Sequence, residues 1–405
     1  MNRFARPLGL FALCLILLSA TAGQGANREA RFVLPTDNAI ARKAFDDFYN
    51  QDYDRAIRAF ETLAKEHPAD PFATNYLLQA VMFKELARIG ALDTEGYADD
   101  SFLNRKVTRP LDAAARTRIL ELESRAEAQA NALLAKNPDD VDALYARGSA
   151  RAMRCAYMGM AEKAWFSGLR AALGARRDHE RVLELDPSYV DAKLTVGFHN
   201  YVVGSLTWPM RVSASIIGVG GNKHKGLAML REVSRSNTPA SPDAKISLAL
   251  FLRREQQYPE ALELVRGMTA EHPRSFLTAL EYANLLSAAG RGPEAIASYR
   301  QILTNCKEKK YALPEPAKAA FLLGIVLRGQ RRFQEAAEAF DQAADFPGAD
   351  RELSDRAILL AGEMYDTILQ RQMAVKRYET VLATGKTAPL AEIARKHMEE
   401  PFQYK

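Results

Sequence analysis

The stretch AKAAFLLGIVLRGQRRFQEAAEAFDQAADFPGAD, residues 317–350, contains two amphipathic segments separated by a short polar turn. Gly324 lies in the first segment, and Ala336 and Phe340 lie one helical turn apart in the second. Two antiparallel helices pack closely only where a small residue lies at their crossing, and a large ring from the next turn fills the space beside it. The stretch therefore predicts a hairpin of two helices.

A small residue recurs along the chain at a constant distance from a proline. The proline follows an alanine by twelve residues in four places: Ala56 and Pro68, Ala126 and Pro138, Ala175 and Pro187, Ala261 and Pro273. Because proline cannot continue a helix, each interval predicts an amphipathic helix that ends at a fixed position. A unit repeated in this way cannot bury its apolar face alone, so the pattern predicts a stack of hairpins in which each contacts its neighbours.

This pattern resembles the tetratricopeptide repeat, a pair of helices in about 34 residues with small residues at the crossing. Ala261 precedes Ala295 by 34 residues, and Ala295 and Tyr299 repeat the spacing of a small residue and a ring. The resemblance covers most of the chain and implies an all-α fold, a right-handed α-α superhelix of about eight helical hairpins. The charged helix after Pro389 is predicted to be a C-terminal capping helix.

The first 22 residues have the three parts of a secretory signal peptide. Arg3 and Arg6 form a basic start, residues 8–18 are apolar, and residues 20–22 give a small-x-small cleavage pattern. Cys14 lies inside the apolar run rather than after it, so the pattern is not that of a lipoprotein. We therefore expect an exported, periplasmic protein, with an uncleaved N-terminal anchor as the alternative.

The pattern divides the chain into successive segments. They are a signal peptide (1–22), a flexible N-terminus (23–36), N-terminal repeats with a loop insertion near 93–109 (37–188), a divergent repeat with an apolar insert at 206–219 (189–240), and C-terminal repeats with the capping helix (241–400).

Charge and reactive residues point away from nucleic-acid binding and catalysis. The formal net charge of +5 falls to +3 without the signal peptide, which is too balanced to favour nucleic acid, since nucleic-acid binding needs a clustered basic face. The histidines have no metal-binding spacing and no nucleophile motif occurs, so we expect no enzyme activity, no cofactor and no metal. Cys155 and Cys306 belong to different repeats, which favours two separate thiols over a disulfide bond.

Residues 194–230 depart from the regular repeat. Gly197 and Gly226 lie at the two crossing positions, but the apolar insert 206–219 separates them. The arrangement resembles the centre of the tetratricopeptide repeat protein 39 family, also called the inclusion-body-clearance family, in which an apolar helix and a glycine-rich turn precede a Gly-Leu-x-x-Leu helix. We expect Asn222 to cap the helix that follows the turn.

Three interpretations of the insert are open. It could be an extra amphipathic helix that packs on its neighbour. Its apolar side chains could instead line a groove for a lipid-like or peptide ligand: Trp208, Met210, Val212, Ile216 and Ile217. Trp208 and Arg211 could also lie at a membrane surface, as peripheral contacts.

The resemblance further implies that the first helix of each hairpin lines an inner groove. The residues assigned to this groove are Tyr145, Phe198, Tyr201, Trp208, Leu250, Arg253, Asn284, Phe321 and Arg328. We expect a protein or peptide partner in the cell envelope, held largely by apolar contact, with Arg253 and Arg328 anchoring an acidic group. The alternative is a periplasmic carrier or transport-accessory protein that binds a lipid-like or other apolar small molecule near Trp208.

Overall fold

The computed structural model describes residues 31–92, 109–206, 208, 212, 219–384 and 388–404. These residues form no β-strand, and sixteen of their helices pair into eight antiparallel hairpins followed by a capping helix, which confirms the predicted all-α repeat fold. The hairpins are α1 (Ala39–Tyr49) with α2 (Tyr53–Glu66), α3 (Pro71–Arg88) with α4 (Ala113–Leu134), α5 (Val141–Met160) with α6 (Trp165–Leu185), α7 (Ala192–Gly204) with α8 (Lys223–Arg235), α9 (Ser241–Arg254) with α10 (Tyr258–Glu271), α11 (Phe276–Ala288) with α12 (Gly292–Lys307), α13 (Pro316–Gly329) with α14 (Phe333–Asp345), and α15 (Arg351–Thr367) with α16 (Arg371–Thr384); α17 (Ala388–Glu399) is the cap.

Several predicted segments cannot be followed in full. The signal peptide and most of the predicted flexible N-terminus lie outside the described residues, as do positions 93–108 of the loop insertion. Only Leu206, Trp208, Val212 and Val219 of the apolar insert are described. Among the described helices, none combines the length and the apolar character needed to cross a bilayer.

Polar side chains determine where many of the helices begin. The Asn222 side chain accepts a hydrogen bond from the Lys225 backbone N–H at 2.9 Å, which confirms the predicted cap of α8. Asp140 and Asp350 cap α5 and α15 through the same contact three residues ahead. Each cap satisfies one of the backbone donors that a helix leaves unpaired in its first turn.

In seven of the eight hairpins, the described part of the turn contains one residue in the left-handed backbone region. These residues are Gln51, Gly90, Lys163, Gln256, Gly290, Arg331 and Leu369, with φ between 54° and 75°. Only two of them are glycine, although a side chain in this region costs about 1–2 kcal/mol. The turn geometry of the repeat therefore overrides local backbone preference.

The helix crossings use small residues as predicted, and they differ in which atoms a larger residue would meet. A Cβ atom on Gly324 would lie 2.5 Å from the Phe340 ring, and one on Gly362 would lie 2.5 Å from the Tyr378 ring. In the fourth hairpin Leu230 replaces the ring, and a Cβ atom on Gly226 would lie 2.5 Å from a backbone nitrogen of α7. The helices of that hairpin consequently approach each other backbone to backbone.

Two large apolar cores stabilise the stack. One contains buried residues of the first three hairpins, between residues 32 and 161, and the other runs from Tyr201 through the remaining hairpins to Ala394 in the cap. Two small clusters lie between them, around Tyr189 and around Val233. Cys155 and Cys306 are both free thiols.

The stack closes on itself, contrary to the expectation that each hairpin contacts only its neighbours. The Tyr49 hydroxyl of α1 donates to Asp243 Oδ1 of α9 at 3.1 Å. Asn50 Oδ1 accepts a hydrogen bond from the Arg274 backbone N–H at 2.9 Å, across 224 residues of sequence. The small rotation between successive hairpins has accumulated until the first hairpin contacts the fifth and sixth.

Candidate functional site: the inner face of the stack

The first helices of neighbouring hairpins pack against one another, as α3 does against α5 and α13 against α15, and the face that they share is called the inner face below. Eight of the nine residues predicted to line the groove lie on these helices: Tyr145 on α5, Phe198 and Tyr201 on α7, Leu250 and Arg253 on α9, Asn284 on α11, and Phe321 and Arg328 on α13. Their surroundings differ along the stack.

Closure brings the first helices α1, α3 and α9 together. Asp243 of α9 accepts hydrogen bonds from the Tyr49 hydroxyl and, at 3.1 Å, from Gln79 Nε2 of α3. Desolvation, helped by the nearby Asp191 carboxylate, raises the pKa of Asp243 to about 6. Because three first helices meet at this point, a partner cannot lie along the inner side here while the stack is closed.

Tyr145 belongs to the packing between hairpins. Its ring lies 5.9 Å from Phe72, 5.0 Å from Tyr189 and 5.1 Å from His179, measured between centroids. Burial lowers the pKa of His179 to about 4, so that imidazole is neutral at physiological pH. The cluster is an aromatic support for the second and third hairpins.

Aromatic side chains of α7 and α9 lie together. Tyr201 is buried and stacks on Phe251 with centroids 3.8 Å apart, and its hydroxyl donates to Glu255 at 2.8 Å. Phe198 lies on the other side of Phe251, at 5.1 Å, and is 45% exposed. Trp208 is 70% exposed, but most of the surrounding insert lies outside the described residues. Phe198 and Trp208 are thus the predicted aromatic residues that solvent reaches.

Arg253 and Asn284 are engaged within the chain. Arg253 pairs with Glu281 of α11 at 3.0 Å, with the two side chains only 10% and 7% exposed. Asn284 is buried and accepts a hydrogen bond from the Tyr299 hydroxyl. An acidic ligand at Arg253 would have to displace a carboxylate that the next hairpin already supplies. Leu250, also on α9, is partly buried.

The inner side of α13 and α15 presents two arginines. Arg356 of α15 is exposed and lies over the buried Phe321 ring, 5.2 Å from its centroid. Arg328 is partly buried, and among the described residues its guanidinium makes no side-chain hydrogen bond or ion pair, although its charge acts on the Glu363 carboxyl. Arg328 is the predicted acid anchor that keeps its guanidinium available.

Glu363 is an inner-face residue that the sequence analysis missed. Burial raises the pKa of Glu363 to about 7, while the Arg328 guanidinium opposes this shift and Asp366 adds to it. His397 of the cap approaches it, with Nε2 3.6 Å from Oε1. The available signal was its position immediately after the crossing glycine Gly362, the place that Ile325 occupies after Gly324.

The described residues contain little that could support covalent or metal chemistry. No group of three or more His, Cys, Asp or Glu side chains among them is arranged to hold a metal ion. Burial raises the pKa of Cys155, and it raises that of Cys306 to about 11, so both thiols stay protonated near neutral pH.

Comparisons with known proteins agree with the repeat pattern. A family described as Tetratricopeptide repeat matches residues 42–82, 220–276 and 280–350. No curated protein matches the chain. A solved tetratricopeptide repeat protein from Parabacteroides merdae is 15% identical, with 80% of this chain and 97% of the other covered and a TM-score of 0.31. Two monomeric IFIT1 mutants, with m7Gppp-AAAA and with Gppp-AAAA, are each 12% identical, with 91% of this chain and 84% of theirs covered and TM-scores of 0.38 and 0.39.

Proposed function

We propose that the chain, whose residues 42–82, 220–276 and 280–350 match the tetratricopeptide-repeat family, is a non-catalytic scaffold that binds a protein partner along the first helices of its C-terminal hairpins. Repeats of this kind generally mediate protein–protein interaction. The preformed helical surface would bind with little ordering cost, because its side chains are already held by the stack.

The observation that carries the proposal is the unpaired guanidinium of Arg328. A partly buried guanidinium that forms no ion pair, with only the Glu363 carboxyl near enough to respond to its charge, can still accept a carboxylate from an incoming segment. Arg356 lies on the next first helix and adds a second positive charge. The partner segment would therefore carry acidic side chains, with apolar ones against the neighbouring helices.

We further propose that this scaffold works in the cell envelope. The support is the signal-peptide pattern of residues 1–22. An accessory role in assembling an envelope complex fits a chain that combines export with a binding surface.

A peptide selection with the purified chain tests the binding proposal. Random peptides displayed on phage are selected against the protein, and the winners are synthesised and titrated by fluorescence anisotropy. We expect acidic winners whose affinity falls in Arg328→Ala and Arg356→Ala. The matched control is Arg300→Ala, because Arg300 is exposed on α12 and pairs with Glu335 of α14, both second helices. Winners without acidic residues, or equal losses in all three variants, would contradict the proposal.

A further inference from the structure

We propose that the contact between the first hairpin and the fifth and sixth hairpins is a latch. The latch opens while both halves of the chain stay folded, the halves being hairpins one to three and hairpins four to eight with the cap. The latch comprises Asp47, Asn50 and Gln51 on one side and His272, Arg274 and Leu277 on the other. Closed, it restricts a partner to the C-terminal hairpins; open, it exposes the inner side of the first five.

The latch is built from side chains that reach backbone groups of the opposite hairpin. Asn50 Oδ1 accepts from the Arg274 N–H and Gln51 Oε1 accepts from the Leu277 N–H, both at 2.9 Å. Asp47 Oδ1 accepts from Arg274 Nη2 at 3.0 Å. Since water can take over each of these hydrogen bonds, their net contribution to closure is small.

Apolar burial does not bridge the latch. The core of the first three hairpins and the core that begins at Tyr201 are separate clusters of buried residues. Tyr49 and His272 add one ring contact across the latch, with centroids 5.2 Å apart. Each half therefore retains its hydrophobic stabilisation when the latch opens, because that stabilisation scales with the apolar area each core buries by itself.

The closed state also removes a carboxylate partly from water. No described basic side chain pairs with Asp243, which is partly buried and faces the Tyr49 hydroxyl, the Gln79 amide and the Asp191 carboxylate. Partial desolvation of an ionised carboxylate without a cationic partner opposes closure. Opening returns this carboxylate to water, so the electrostatic contribution favours the open state above the pKa of Asp243.

The joint for this movement lies between the third and fourth hairpins. There the two large cores are connected through small clusters, one of six buried residues around Tyr189 and one of three around Val233. A thin apolar connection bends at lower cost than a continuous core, as expected for the least stable part of a structure.

Hydrogen exchange of the full chain, read by mass spectrometry, tests the latch. The Leu277 N–H lies in the first turn of α11, where a helix leaves its donors unpaired, and the Arg274 N–H lies just before the N-cap Ser275, so their protection depends on Gln51 and Asn50. We expect the segment 274–278 to exchange much faster than α13 in the unmodified protein. Equal rates would show that the contact opens only on global unfolding and would overturn the proposal.

A matched pair of variants separates the latch from the turn that carries it. Gln51 and Gln256 both have left-handed backbones, at φ 63° and 58°, in equivalent turns. Gln51→Gly keeps that turn and removes the hydrogen bond to Leu277, so exchange of the segment 274–278 should rise by about tenfold, the loss of one net hydrogen bond. Gln256→Gly should leave that segment unchanged.

Small-angle X-ray scattering supplies the second measurement. The double variant Gln51→Gly, Arg274→Ala should show a larger radius of gyration than the unmodified chain, with the same helical circular dichroism. Faster exchange with an unchanged radius would mean local loosening only and would overturn the hinge. Loss of helical signal in the double variant would show that the halves need the latch to fold, which also overturns the proposal.

Discussion

Replacing Gly226 by alanine tests the close approach of the two helices of the fourth hairpin. The added Cβ atom would lie 2.5 Å from the Tyr201 nitrogen and 2.6 Å from the Gly197 oxygen, whereas ordinary Cβ contacts begin at 3.4 Å. Both opposing atoms are backbone, so a rotamer change cannot relieve the overlap. Helices α7 and α8 would have to move apart by roughly 1 Å, which makes this a case of overpacking.

The expected net loss of stability is about 2 kcal/mol. Overpacking costs about 1–3 kcal/mol, and backbone contacts place this site at the upper end of that range. Alanine returns about 1 kcal/mol relative to glycine inside a helix. The same substitution at Gly324 should cost less, because its overlap is with the Phe340 ring, which can tilt.

Gly267→Ala is the matched control. Gly267 lies inside α10, is exposed, and has nothing within 4 Å of the added Cβ atom, so this variant should gain about 1 kcal/mol from helix propensity alone. Urea unfolding followed by far-ultraviolet circular dichroism compares the two midpoints with that of the parent chain. If Gly226→Ala raised the midpoint as Gly267→Ala does, the packing of this hairpin would be looser than the structure states, and the reasoning would be refuted.

Three further predictions concern buried carboxyl groups and turn strain. Desolvation raises the pKa of Asp243 from 3.8 to about 6, so the stability that its carboxyl group contributes is present below pH 4 and is lost as the pH rises to 6. Asp243→Asn should therefore raise the unfolding midpoint at pH 7 and not at pH 3.5. Equal shifts at both pH values would contradict this prediction. The pKa of Glu363 is raised from 4.5 to about 7 by burial, so Glu363→Gln should stabilise more at pH 8 than at pH 4, with a pH-independent gain as the contrary result. Gln256→Gly should stabilise by about 1 kcal/mol through relief of its left-handed backbone, and a lower midpoint in thermal unfolding would disprove strain at that turn.

The spacing of small residues, rings and prolines predicted the hairpins because the contacts it encodes are local. Gly324 and Phe340 are sixteen residues apart and meet within one hairpin, so their spacing alone indicates the contact. Asn222 could be identified as a cap for the same reason, since its hydrogen bond reaches three residues ahead. Position within the repeat likewise placed Phe198 and Arg328 on first helices.

Sequence reasoning could not assign the state of each inner-face residue, because that depends on the neighbouring hairpin. Arg253 was expected to be available to a partner, but Glu281 on the next first helix pairs with it. Arg328 has the same position in its own hairpin, yet the following hairpin supplies only the buried Glu363 near it, with no ion pair. Identical positions thus differ through residues that no local spacing connects.

The sequence by itself determined the repeating unit and the number of hairpins, because both depend on contacts within one or two helices. Only the tertiary structure decided that the stack closes, since curvature is the sum of small rotations that no single repeat records. Asn50 and Arg274 meet across 224 residues because of that sum. Closure brings Tyr49 of the first hairpin against Asp243 of the fifth, whereas Arg328, on the seventh hairpin, lies outside this contact.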